Sequence, residues 1–375
     1  MKSHIAEYVS PGHPDRLADA IVESIVDLAV GRDGKALAGV ECAVHTDYVF
    51  IDGRIAAGNG KCAVSNEEID EIARNVYREA GYGGIWIHAP EKLKVIQNVC
   101  LEHLSAEERA IRNLSDDQNV VAGYACNHPE TDYLPPAHFV ANYIGRKVDA
   151  WRRTVSDKFG PDFKVLVHFD DKDGGCQWRR LTLSIQHRAG VFAAEQHELV
   201  LPVVSGALAE LEARGLAGIS NLPLENFILN GMGDFIVGGP EGDNGLSGKK
   251  LAVDFYGPEV PIGGGAICGK DPHKVDVAGA FRARELALRL LKERGGNAVT
   301  VRLGWTPGDA APAFREAESI DSIGLAHPIP AAALPPEDWF SIDSIVADLR
   351  LASFARSEKV LSGYFFDRHI SVCGN

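Results

Sequence analysis

The fold class predicted by this sequence is α+β, on three observations. Strand-type and helix-type segments are mixed along the chain, with no regular βαβ alternation of the kind that builds a doubly wound parallel sheet. The strand-like runs include Cys42–Ile51, Lys164–Phe169, Leu181–His187 and Asn297–Leu303. A long helical segment over Lys274–Glu293 is closed by Gly295-Gly296. Together these favour sheets covered by helices on one face.

The helices have local causes. Residues 17–29 place Leu17, Ile21, Ile25 and Leu28 on one helical face. Ser65 and Glu68 have the spacing of a capping box, and Ile69, Ile72, Val76 and Ala80 follow at helical spacing. Seams are expected at the polar stretch Ser105–Gln118, around Gly215–Pro223 and in the Pro-rich segment Pro328–Pro336. They suggest units at 1–105, 106–225 and 226–375.

Composition excludes several classes. The chain has 375 residues, 45% of them hydrophobic, enough for a large core and two or three domains. Its 39 glycines and 19 prolines are scattered, so low-complexity disorder is not expected. A formal net charge of -14 repels nucleic-acid backbones and anionic membranes, so neither is expected as a partner. The N-terminus MKSHIAEYVS lacks the apolar core of a signal peptide, and no run approaches the roughly 20 apolar residues needed to span a bilayer. The seven cysteines (Cys42, Cys62, Cys100, Cys126, Cys176, Cys268, Cys373) include no Cys-x-x-Cys spacing. They read as reduced thiols of a cytoplasmic protein.

Against this acidic background, two segments concentrate chemistry. The first is Ser10-Pro11-Gly12-His13-Pro14-Asp15-Arg16, a turn feeding the first helix. Pro14 suits the opening helical position and Asp15 the first turn, so the segment alone reads as a well-capped helix. The same geometry offers free N–H groups to an anion, with His13 as a phosphate donor and Asp15 as a magnesium ligand.

The second segment, residues 231–276, reads GMGDFIVGGPEGDNGLSGKKLAVDFYGPEVPIGGGAICGKDPHKVD. Glycines there allow close backbone approach, Lys249, Lys250, Lys270 and Lys274 supply cations, and Asp243, Asp271 and Asp276 supply carboxylates. A magnesium-bound triphosphate asks for this mixture. Any one lysine could be a solvated turn residue. So many glycines without burial, however, cost entropy that only a ligand or close packing recovers. Gly264–Lys270 also fits G-x-x-x-x-G-K, but Asp271 stands where a P-loop needs Ser or Thr, which keeps a P-loop NTPase only as an alternative.

Taken together, these blocks resemble the S-adenosylmethionine synthetase family. Ser10–Arg16 is similar to the family's Ser-x-Gly-His-Pro-Asp-Lys. Gly238–Lys250 is similar to its Gly-Gly-Pro-x-Gly-Asp-x-Gly-Leu-Thr-Gly-Arg-Lys, and Gly263–Asp276 to its Gly-Gly-Gly-Ala-Phe-Ser-Gly-Lys-Asp-Pro-x-Lys-Val-Asp. Weaker echoes lie at Glu41, Asp117-Gln118, Gly123-Tyr124-Ala125, Asp162-Phe163-Lys164 and Leu183–His187. The resemblance spans most of the chain in order and is loose over the final 80 or so residues.

The resemblance implies three similar α/β-sandwich domains in a pseudo-threefold arrangement. It also implies a homodimer or homotetramer with sites at the subunit interface, and adenosyl transfer from ATP to the sulfur of methionine, with the triphosphate then cleaved. By that resemblance His13 donates to the oxygen bridging C5′ and the triphosphate. Lys164, Lys249, Lys250 and Lys270 bind phosphates. Asp15 and Asp276 hold magnesium, and Glu41 holds potassium. Phe235 stacks on adenine, with Asp162, Asp234 and Ala266 lining the nucleotide site. Asp243 meets ribose or the substrate amine, and Asp117 and Lys274 contact methionine.

Some positions depart from the family pattern. Arg16 replaces Lys, Lys249 replaces Arg, and Asp234 replaces an Arg beside Phe235. Arg54 stands where the family has a Glu that contacts methionine, and an arginine cannot accept a bond from an ammonium. The Glu102-His103 region lacks the family's Lys-Gln-Ser-Pro. His103 is a candidate acceptor contact by position, although alone it reads, like His128, as a surface or core histidine. The ATP half of the site thus looks kept and the amino-acid half altered, either with Arg54 meeting the carboxylate or with a methionine analogue as acceptor. An ATP or triphosphate hydrolase and a non-catalytic paralogue stand as alternatives. Glu67, Glu68, Asp70 and Glu71 read as a solvated helix face. The five tryptophans (Trp86, Trp151, Trp178, Trp305, Trp339) read as packing.

Overall fold

A computed structural model describes residues 2–366 apart from Asp173, Phe354 and Ser362. Among these residues the strands are β1 (Ser3–Val9), β2 (Leu37–His45), β3 (Tyr48–Ala56), β4 (Lys94–Glu102), β5 (Asn119–Cys126), β6 (Phe159–Lys172), β7 (Gly175–His187), β8 (Phe227–Leu229), β9 (Gly245–Leu246), β10 (Ala298–Trp305), β11 (Phe314–Ile320) and β12 (Ala326–Pro328). The helices are α1 (Pro14–Arg32), α2 (Asn66–Ala80), α3 (Ala106–Ala110), α4 (Pro136–Arg152), α5 (Ala193–Ala213), α6 (Leu251–Asp254), α7 (Val275–Arg294), α8 (Ile342–Asp348) and α9 (Ser357–Val360).

The architecture is α+β, as expected, with three four-stranded sheets ordered β1-β6-β7-β8, β4-β3-β2-β9 and β12-β11-β10-β5. Pairing is antiparallel except for β3–β4 and β7–β8. Helix α4 packs on the first sheet, α1 on the second and α7 on the third. The sheets draw on distant parts of the chain. β1 pairs with β6, β9 with β2, and β5 with β10, so each expected unit (1–105, 106–225, 226–375) shares strands with another.

Local sequence accounts for the helix ends. Ser65 and Glu68 form the reciprocal capping box, and Gly81 closes α2 in the left-handed region at φ 103°. His13 is the N-cap of α1, Pro14 follows, and Asp15 lies in the first turn. Helix α7 starts at Val275 and ends before Gly295.

The run Cys42–Ile51, expected as one strand, is instead a hairpin whose register is His45↔Tyr48. Thr46 takes φ 51° at the turn, and its N–H donates to the Pro240 carbonyl at 2.6 Å. A tertiary contact stabilises this turn, with no Gly or Asn in its two-residue loop to announce it. The P-loop alternative is also overturned. No strand leads into residues 258–263, and the following helix begins five residues after Lys270, so the strand–loop–helix cradle is missing.

The second sheet buries one face against α1 and leaves the other open. Leu246, Ala43, Phe50 and Ile96 stand side by side across its four strands on the open face. Leu246, Phe50 and Ile96 are exposed. The six described cysteines are free thiols, and Cys373 lies outside the described residues. No helix among the described residues is long and apolar enough to cross a membrane.

Candidate active site

The N-terminus of α1 organises the site. A Cβ on Gly12 would sit 2.4 Å from the Pro161 carbonyl oxygen, so only glycine lets this turn lie against β6, the strand that carries Asp162 and Lys164. The His13 imidazole is buried and accepts the Asp15 amide at Nδ1, 3.2 Å away. That bond leaves the proton of a neutral ring on Nε2. Burial, reinforced by the charge of Lys164, pushes His13 down to about 3, so the ring is neutral at physiological pH.

Asp15 faces two lysines, Lys250 at 2.7 Å and Lys249 at 3.7 Å, and accepts the Leu246 amide at 3.0 Å. Burial pushes its carboxyl up, but the Lys250 ammonium and the Leu246 N–H outweigh burial and hold it below its usual range. Behind this face, Arg16 is fully buried and paired with Asp19 at 3.1 Å and with Asp254. Arg16 therefore braces the interior. Asp19 accepts the Gly248 amide at 2.8 Å, which ties the turn before Lys249 to the helix. Burial, with the neighbouring Asp254 charge, pushes the Asp19 carboxyl up to about 7.

Asp162 is buried and accepts the Gly239 amide at 2.8 Å, so its carboxylate shapes the 238–242 turn. Burial pushes it up to about 6 despite that bond and the charge of Lys164. Lys164 is exposed on the same strand. Phe235 is half-buried, its ring lying against Gly238 beside Gln186. Its backbone exchanges bonds with His187. Asp234 is exposed, 3.8 Å from His187, and Asp243 is exposed just beyond the turn.

A second group of predicted residues gathers at the start of α7. Lys270 pairs with Asp276 at 2.6 Å, and Lys274 pairs with Asp116. The two groups lie close together, because a Cβ on Gly248 would meet the Ala266 methyl at 3.0 Å. Lys270 bridges to Gly39 of β2, which stands opposite Arg54 of β3. Glu41 stands opposite Asp52 on the same two strands. Asp117 is exposed and binds the Gln118 amide with its own side chain.

Arg54 is already engaged. Its guanidinium binds Glu102 at 2.7 Å and Glu108 at 2.6 Å, and these bonds to Glu108 and Glu102 raise it further above its usual value. His103 is exposed beside Glu102.

Sequence reasoning missed Asp116, Asp254, Glu108 and Asn119. Asp116 adjoins the predicted Asp117, so the acidic pair was a usable signal. Asp254 and Glu108 carried none, because their partners Arg16 and Arg54 lie far away in sequence. Asn119 opens β5, and its amide nitrogen is buried without a hydrogen-bond partner.

The chain is similar to known proteins in sequence and in fold. Residues 2–101 match the N-terminal domain of S-adenosylmethionine synthetase, and residues 237–370 match its C-terminal domain. The chain is 32% identical over 316 residues to the S-adenosylmethionine synthase of Paramagnetospirillum magneticum, covering 82% of this chain and 78% of the relative. It is 33% identical over 326 residues to that of Hyphomonas neptunium, covering 83% and 79%. Its fold is similar to that of an unusual S-adenosylmethionine synthetase from Campylobacter jejuni. That match has a TM-score of 0.81 at 23% identity and covers 98% of this chain and 96% of that one.

Proposed function

Belonging to the S-adenosylmethionine synthetase family, the chain is an enzyme that makes S-adenosylmethionine from ATP and methionine, and we propose the roles its residues take in that reaction. The observation that carries the proposal is the meeting of a neutral His13, Asp15, Lys249 and Lys250 at the N-terminus of α1, under the charge of Lys164.

The methionine sulfur attacks C5′ of ATP, and the bond from C5′ to the triphosphate oxygen breaks. Positive charge grows on sulfur while negative charge grows on the leaving triphosphate, so charge stabilisation and in-line orientation are what the protein must supply. His13 Nε2–H donates to the bridging oxygen as it leaves. A buried imidazole kept neutral holds this donor in place without adding a charge that desolvation would oppose. Lys164, Lys249, Lys250 and Lys270 take the phosphate oxygens. Phe235 offers a face to adenine, and Asp243 a carboxylate to ribose or the amine. Asp234 and Ala266 border the nucleotide, and Asp162 shapes the turn beneath it.

Asp15 and Asp276 each hold a lysine of the phosphate set. Once those lysines turn to phosphate, the carboxylates suit magnesium, which favours one or two carboxylates plus phosphate oxygens over an all-protein cage. Magnesium would neutralise the charge of the triphosphate. Glu41 and Asp52, like charges directly opposite on a sheet, would be relieved by potassium. Asp117 and Lys274 border the acceptor. After transfer, the triphosphate is cleaved to diphosphate and phosphate.

The open row Leu246–Ala43–Phe50–Ile96 would seat a second copy, making a homodimer, alone or paired into a homotetramer, with its sites at the interface. The free thiols of the six described cysteines suit the cytoplasm, where thiols stay reduced. A second reading, a methionine analogue as acceptor, rests on Arg54, which brings a cation where the family brings a carboxylate. Incubation with ATP, magnesium, potassium and a panel of thioethers, followed by mass spectrometry of sulfonium products, tests both. Methionine should give the sulfonium. Product from an analogue alone would overturn methionine as acceptor, and phosphate release indifferent to any thioether would overturn the transferase roles.

A further inference from the structure

We infer that Asn119 is a substrate-binding residue whose side-chain N–H donates to an anionic oxygen, either of the ATP phosphate chain or of the acceptor's carboxylate; the inference rests on the adenosyl-transfer reading above. Asn119 is the first residue of β5, paired in register with Trp305. Its Nδ2 is shut off from solvent and has no hydrogen-bond partner. A buried amide donor left unpaired is costly, and native proteins keep such groups where something else supplies the acceptor.

The surroundings say what that acceptor is. The position a Cβ would take on Gly265 lies 3.0 Å from Asn119 Nδ2 and 1.7 Å from Asp276 Oδ1, so both side chains reach the same point under the glycine loop. Lys270 stands on Asp276 at 2.6 Å. Lys274, the N-cap residue of α7, is held by Asp116, three residues before Asn119. Both lysines are held by carboxylates here; once they turn to a substrate anion, they, the Asn119 N–H and the start of α7 make a field that favours negative charge. The amide assignment is physically consistent, since the reversed amide would turn its oxygen toward the Asp276 carboxylate. A side-chain N–H donates and cannot ligate a cation, so its partner is an acceptor oxygen, and the acceptors the two substrates bring to this point are the phosphate and carboxylate oxygens.

Calorimetric titration of full-length wild type, Asn119→Ala and Asn119→Asp tests this, with a non-hydrolysable imido analogue of ATP plus magnesium and, separately, with methionine. Asn119→Ala should weaken one of the two by about 10- to 100-fold, the range for a hydrogen bond to a charged group. Loss confined to the nucleotide identifies a phosphate oxygen, and loss confined to methionine identifies the carboxylate. Asn119→Asp should weaken the same ligand further by repulsion. The Asn119→Ala thermal midpoint should stay level or rise, because an unpaired buried donor is removed. Unchanged affinity for both ligands overturns the inference, as does tighter binding in Asn119→Asp or a lowered midpoint with affinities intact. Wild-type sulfonium formation is read alongside. Product with unchanged Asn119 variants sinks this inference alone, whereas Asn119-dependent binding without product sinks the transferase reading alone.

Discussion

Substituting Gly265 by alanine isolates the second half of the site from the fold. Gly265 is not in the left-handed region, so its backbone accepts alanine. The added methyl, however, would lie 1.7 Å from Asp276 Oδ1, and real Cβ atoms essentially never come within 3.0 Å of such an atom. The Asp276 carboxylate must therefore retreat on the order of 1 Å, taking with it the Lys270 ammonium that it holds at 2.6 Å. Misplacing a charge-stabilising group by that distance costs about 10²-fold in rate, or about 2.7 kcal/mol of transition-state stabilisation. Gly264→Ala is the built-in control, since nothing lies within 4 Å of its added methyl. Sulfonium formation at varied ATP and magnesium, read beside the thermal midpoint, is the assay. Gly265→Ala should lose about two orders of magnitude in kcat/KM with the midpoint shifted by a few degrees, and Gly264→Ala should match wild type. Wild-type turnover in Gly265→Ala, or equal losses in both variants, would refute the placing of Asp276 and Lys270 in the reaction.

Other perturbations probe different parts. Arg54→Glu puts a third carboxylate beside Glu102 and Glu108, and should change the acceptor KM at least tenfold while leaving the ATP KM within about twofold; equal effects on both substrates would remove Arg54 from the amino-acid half. Burial raises Asp162 from an ordinary 3.8 to about 6, so its contribution to stability is fully present below pH 3.8 and is lost as pH rises to 6, an effect of about 3 kcal/mol. Asp162→Asn should accordingly gain stability relative to wild type across that window, as denaturant melts at stepped pH would show; a constant difference contradicts the assignment. Phe50→Glu puts a charge in the middle of the open apolar row and should shift sedimentation toward the monomer while lowering turnover; an unchanged sedimentation profile would exclude that face as the interface.

Much of the site was legible because its pieces are local. The turn at Ser10–Arg16 and the glycine-lysine block state their chemistry within a few residues, and His13, Asp15, Lys249 and Lys250 do converge. Helices were legible for the same reason, through the Ser65–Glu68 box and the Gly295 stop. The hairpin inside Cys42–Ile51 was not, because its turn is stabilised by the Pro240 carbonyl, nearly two hundred residues away. Arg16 and Arg54 were read as departures near the ligands. Their partners Asp254 and Glu108 assign the first to the interior and tie the second to neighbouring carboxylates.

By itself the sequence determined the secondary elements with local stop and start signals, the chemical types of the candidate site, and the family. Tertiary structure alone decided which strands share a sheet, as with β5 beside β10, and which protonation each buried group holds. The physical reason is range. Capping and periodicity act over a turn of chain, whereas burial and charge act through space. The hold that keeps the His13 ring far below its ordinary 6.5 is a property of the packed core and of Lys164 on a distant strand, and it exists only once the chain has folded.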